Sequence, residues 1–259
     1  MRPRRLLTLA GIAAVAAPLA LPLLHRRGSA PDSVLWQTLA AQICWGGVAL
    51  LFALLLGGSV REQLGLTRSR LSLAQLALCA LGMLALSGAL QFAVDALALA
   101  PGSSLEKLDS IARASAPESP WLVLIAFGIA PGFGEELLFR GAVQRSLARG
   151  IGRWCIPATA LAFGALHSDP VQSPAAFVLG CYLGSLALLA DSTWVAIACH
   201  VVNNCAAVLP QLLPSAGAGL PRPGSWLEAA LWLAASALGL ALIARSVRRL
   251  APPGSATSG

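Results

Sequence analysis

Charge is scarce in this 259-residue chain: only 11% of its residues are Asp, Glu, Lys or Arg. A soluble domain carries about 25%. With 57% hydrophobic residues and a mean hydropathy of +0.74, a water-soluble globule is excluded. Alternating apolar and polar runs are also missing, which excludes a membrane β-barrel. The six cysteines (Cys44, Cys79, Cys155, Cys181, Cys199, Cys205) lie in apolar segments without CxxC spacing, so they read as buried, reduced thiols. Lysine is nearly absent: Lys107 stands against 17 arginines, with a net charge of +7. The arginines punctuate apolar runs, so topology and anionic headgroups account for them and nucleic acid does not. No internal repeat announces a transporter with inverted halves. The Lys-poor, Ala/Leu/Arg/Gly-rich composition points to a GC-rich bacterial genome.

What is present is a series of long apolar runs. A run of ~20 apolar residues crosses a hydrocarbon core of ~30 Å as a helix. The expected fold is all-α: a polytopic transmembrane helical bundle of about eight spans. These are residues 6–24, 33–60, 71–94, 121–145, 154–167, 171–190, 194–213 and 226–244. The first reads as a retained span, since His25-Arg26-Arg27 is a poor cleavage flank. Residues 101–120 form a polar loop with room for a short surface helix. Ser192 and Thr193 are positioned to cap the helix that follows. The expected division is 1–119 for N-terminal helices, 120–210 for a catalytic core, and 211–259 for a last helix and tail. Twelve of the 18 basic residues, among them Arg61, Arg68, Arg70, Arg145, Arg149 and Arg153, fall on one side when both termini share it. The positive-inside tendency makes that side cytoplasmic, and the location a cell (inner) membrane.

Against this background stands Gly134-Glu135-Glu136-Leu137-Leu138-Phe139-Arg140-Gly141. Charged groups inside a span are costly and mark function. Glu136 and Arg140 are four apart, share a helix face and pair. Glu135 is turned about 100° away and is left without that partner. Glu136–Arg140 therefore reads as an ordering ion pair and Glu135 as the reagent. A desolvated carboxylate suits a general base.

Only three histidines exist. His25 reads as a surface residue. His167 lies four residues after Phe163, and His200 four before Asn204, so His200 and Asn204 share a face. Phe163 reads as packing and Asn203 as a polar contact off that face. Taken singly, a His or Asn in a span is an interhelical hydrogen-bonding residue, and a Glu is a proton carrier. Three spaced motifs in three of four successive spans favour a hydrolase.

Glu-Glu-x-x-x-Arg at 135–140, Phe-x-x-x-His at 163–167 and His-x-x-x-Asn at 200–204 together resemble the CPBP family. That group comprises CAAX prenyl endopeptidases and bacteriocin-processing or immunity intramembrane proteases. The resemblance covers roughly residues 120–210. It implies hydrolysis of a peptide bond in a membrane-associated protein or peptide, at a site embedded in the bilayer. It further implies that Glu135 activates a water and His167 helps position it. His200 and Asn204 would hold the carbonyl oxygen and the tetrahedral oxyanion, while Glu136 and Arg140 order the site. No cofactor is expected; the competing expectation is zinc bound by Glu135, His167 and His200. A proton-coupled transporter using Glu135 and His167 also competes with the hydrolase, as does a non-catalytic immunity protein on the same fold.

Overall fold

The computed structural model describes residues 31–213 and 222–250, and every regular element among them is helical. The expected first span and the C-terminal tail from residue 251 lie outside the described residues. Helix α1 is Pro31–Leu56, α2 is Val60–Gln63, α3 is Leu73–Ala96 and α4 is Ser104–Ser115. Helix α5 is one continuous helical stretch, residues 120–151. It is followed by α6 (Cys155–Leu166), α7 (Gln172–Ala190), α8 (Thr193–Leu212) and α9 (Trp226–Leu250).

Among the described residues, six stretches are long and apolar enough to cross a membrane. Five belong to α1, α3, α7, α8 and α9; the sixth, Pro120–Leu166, contains both α5 and α6. It is a hairpin rather than one rod. Gly152 takes φ 55°, a backbone that glycine adopts without a Cβ penalty, and the chain reverses there. Phe139 and Phe163, at similar distances from that turn, meet with ring centroids 5.3 Å apart. The expected fourth and fifth spans are thus two arms of one element. The second arm is short: the 12 residues of α6 rise about 18 Å, less than a full crossing.

The hairpin lies inside the bundle. Of its most apolar window 56% is buried, against 28% for α3 and 22% for α9. Leu50, Leu51, Leu54 and Leu55 of α1 and Leu231, Leu238 and Leu242 of α9 are exposed. Such outward leucines are the surface a hydrocarbon solvent favours. One core joins Trp45 and Phe52 of α1 to Leu138, Phe139 and Val143 of α5, Phe163 of α6 and Ala176 of α7. A second joins Met83 of α3, Leu183 and Leu186 of α7, Val195 and Cys199 of α8, and Ile243 of α9. All six cysteines are free thiols.

Helix α5 is not uniform. Leu124–Ile129 and Leu137–Gln144 are π-helical. Pro131, just past the first π segment, lacks the N–H that an α turn requires and crowds the carbonyl four residues back. The second π segment carries Arg140 and Gln144, which donate to Gly180 O at 3.1 Å and Gly184 O at 2.8 Å on α7. The four-residue spacing on one helix matches that on the other.

Each end of the bundle is stitched. At the arginine-rich end, Asp191 pairs with Arg70 at 3.0 Å and Arg145 at 3.3 Å. Ser192 and Thr193 do not cap α8 as expected. Their hydroxyls donate instead to Thr67 O and Leu64 O, each at 2.7 Å, because the 64–67 loop lies against this turn. At the other end, the polar loop contains α4 as a surface helix. Asp169 accepts the backbone amides of Val171, Gln172 and Ser104, which ties α4 to the turn between α6 and α7. Burial works against ionisation of Asp169, but these three amides together hold its carboxyl below the ordinary value.

Candidate active site

The second half of α5 carries the two carboxylates into the middle of the bundle. Glu136 is 0% exposed and Arg140 is 1% exposed. They pair at 2.8 Å, one helical turn apart, as their spacing predicts. Burying these charges is tolerable because each is paired and further hydrogen-bonded. The Arg140 guanidinium also lies over the Phe163 ring, 4.6 Å from its centroid.

Helix α8 supplies His200, which is 6% exposed. Its Nδ1 lies 2.8 Å from Glu136 Oε1, the same oxygen that receives Arg140. That oxygen accepts two donors, so the Nδ1 of His200 carries a hydrogen. The other ring nitrogen, Nε2, faces Glu135 Oε2 at 3.9 Å. His200 therefore bridges the two adjacent glutamates. Glu136 thus meets His200 as well as Arg140, a contact beyond the ion pair that its spacing predicts.

Glu135 is 7% exposed and finds its partner on another helix, while Arg140 pairs with Glu136. Gln42 of α1 donates from Nε2 to Glu135 Oε1 at 3.1 Å. The helices approach closely here because residue 134 is glycine. A Cβ at that position would lie 2.6 Å from Gln42 O and 2.9 Å from Gln42 Cα.

His167 follows α6 directly and is half-buried. Its Nδ1 lies 3.0 Å from Phe163 O, so this nitrogen donates and Nε2 is left to accept. The Phe163 ring meets both histidines edge-on, with centroids 5.1 Å from His167 and 6.2 Å from His200. Phe163 is thus the ring around which His167, His200 and Arg140 gather, more than the packing residue the sequence implied. Asn204 lies one turn beyond His200 on α8, and its Oδ1 accepts the Asn203 amide at 3.3 Å.

Sequence reasoning missed three participants. Phe163 was visible inside a motif but carries no polar atom. Gln144 lay four residues beyond Arg140, a spacing that could have marked it. Gln42 had no such signal, being one amide in an apolar helix far from the motifs.

Among the described residues, no three His, Cys, Asp or Glu side chains gather as a metal-holding group. Nδ1 of His167 is engaged by Phe163 O and Nδ1 of His200 by Glu136, while Nε2 of each ring makes no such bond.

Residues 117–206 match the family model described as Rce1-like, type II CAAX prenyl endopeptidase. No curated protein and no solved structure matches the chain. The matched segment contains Glu135, Glu136, Arg140, His167, His200 and Asn204, and leaves α1 outside. The chain is a multi-pass helical membrane protein whose residues 117–206 resemble the Rce1-like, type II CAAX prenyl endopeptidase family.

Proposed function

We propose that the chain is an intramembrane endopeptidase that cuts a membrane-associated protein or peptide with a glutamate-activated water. The observation that carries this reading is the row Glu136–His200–Glu135, buried where helices meet. The 3.9 Å between His200 Nε2 and Glu135 Oε2 is too long for a direct hydrogen bond and is a span that one water bridges.

In this mechanism the water gives a proton to Glu135 as its oxygen attacks the carbonyl carbon. The carbonyl π electrons move onto oxygen, and the oxyanion is held by N–H donors from His200 Nε2 and Asn204 Nδ2. On collapse the C–N bond breaks, and Glu135 returns the proton to the leaving nitrogen. His167 accepts from the water through Nε2 and fixes its orientation. Because Nδ1 of His200 donates to Glu136, donation from Nε2 requires the imidazolium form. Glu135 and Glu136 flank the ring as the counter-charges that form needs. Arg140 holds Glu136 in place.

On the same reading, the end of the bundle carrying Arg61, Arg70, Arg145, Arg149 and Arg153 faces the cytoplasm of a bacterial cell, with both termini on that side. The test is comparative proteomics of membranes from cells carrying wild type or Glu135→Gln. A membrane peptide whose terminus changes only with wild type is the expected result. Identical termini, with both proteins folded and present, would overturn the reading.

A further inference from the structure

The family-matched segment begins at residue 117, yet α1 reaches the centre of the site. Gln42 sits midway along this apolar helix and is 7% exposed. A buried amide is costly unless hydrogen-bonded. Its Nε2 satisfies that demand on Glu135 Oε1, but its Oε1 is buried with no hydrogen-bond partner. An unsatisfied acceptor calls for an explanation. Turning the amide over would set its oxygen against a carboxylate, so the carboxylate dictates the orientation. Gly134, immediately before Glu135, leaves open the space that the Gln42 backbone and amide occupy.

We propose that Gln42 is a positioning residue for Glu135, supplied from outside the family domain. It anchors Oε1, so that Oε2 is the oxygen presented towards His200 and the reacting water. The inference rests on the reading of Glu135 as the general base. Neutrality is the point of an amide here. The adjacent glutamate shows the contrast: Arg140 pairs with Glu136 and makes it structural. A cation at position 42 would tie up Glu135 in the same way. An amide fixes one oxygen and leaves the carboxylate charge in place for proton transfer.

The test is infrared spectroscopy of the full chain in bilayers, with 13C-labelled glutamate. The Glu135 carboxylate band is assigned by its loss in Glu135→Gln. Gln42→Met removes the donor at similar volume, and Gln42→Asn withdraws it by one methylene. In both variants the Glu135 band is expected to shift while the remaining carboxylate bands stay and the melting temperature holds within a few degrees. Either folded variant decides the matter. An unmoved Glu135 band overturns the proposal. So does a common shift of all carboxylate bands, or failure of both variants to fold, since each assigns Gln42 to structure alone. The spectrum needs no substrate, so it separates this proposal from the proteolytic reading, which fails on the proteomic comparison.

Discussion

His200 Nδ1 and Arg140 Nη1 converge on one oxygen of Glu136, each at 2.8 Å. Glu136 thereby fixes the ring that faces Glu135. Two neighbouring glutamates of the same chemistry thus have different partners, Gln42 for Glu135 and Arg140 with His200 for Glu136.

The first prediction concerns Glu135. Glu135→Gln keeps the side-chain volume and removes the proton acceptor. It is expected to abolish cleavage while the protein accumulates in membranes with an unchanged melting temperature. Full retained activity on the peptide identified by proteomics would remove Glu135 from the mechanism.

The pair beneath it behaves differently. Arg140→Ala leaves Glu136 buried without its guanidinium and with His200 as its remaining donor, and breaking a buried pair in this way costs about 3–5 kcal/mol. Loss of folded protein is expected, measured as accumulation and thermal melting. Arg140→Lys is expected to rescue it only in part, because a point charge does not serve Glu136 and Gly180 O in the geometry of a planar guanidinium. Normal melting of Arg140→Ala would show that the pair is dispensable.

In the proposed mechanism, His200→Ala removes an oxyanion donor together with the partner of Glu136. Removing one such donor costs about 10²–10³ in turnover. A fall of at least that size is expected. Asn204→Ala, which leaves the Glu136 contact intact, should lose activity with little change in melting temperature. Unchanged turnover in Asn204→Ala would take Asn204 out of the site.

Metal dependence is open to a direct measurement. Purified active protein is expected to contain no stoichiometric zinc, and chelation should leave the rate intact. Zinc at one equivalent, lost together with activity and restored with it, would reverse the metal-free mechanism.

The strap at the α4 end is pH-sensitive in a definite direction. The carboxyl of Asp169 is held below its usual range, so its stabilising contribution is complete above the unfolded value. It is lost as pH falls through the lower folded value. Asp169→Asn should therefore melt below wild type near pH 7, and the two melting temperatures should converge well below about pH 4. A difference that persists in strong acid would assign the effect to shape instead of charge.

The all-helical fold class is legible in the sequence alone. Apolar runs of membrane length demand helices, because a lipid-exposed backbone must satisfy its own hydrogen bonds. The four-residue spacing of Glu136 and Arg140 predicts their ion pair, and the pair forms. Such local periodicities survive because the helix itself sets the distance. What crosses between helices was not legible. Neither the bridge from Glu136 through His200 to Glu135 nor the reach of Gln42 to Glu135 follows from spacing along the chain. The same limit applies to the hydroxyls of Ser192 and Thr193, which leave their own helix for a loop more than 120 residues away in sequence. Which residues meet across helices depends on how closely the backbones approach and in what register. At this site a glycine beside a glutamine and a short arm turning at Gly152 decide both. Residue order sets the carboxylates and histidines on their helices, and packing decides that one oxygen of Glu135 meets Gln42 while the other faces His200.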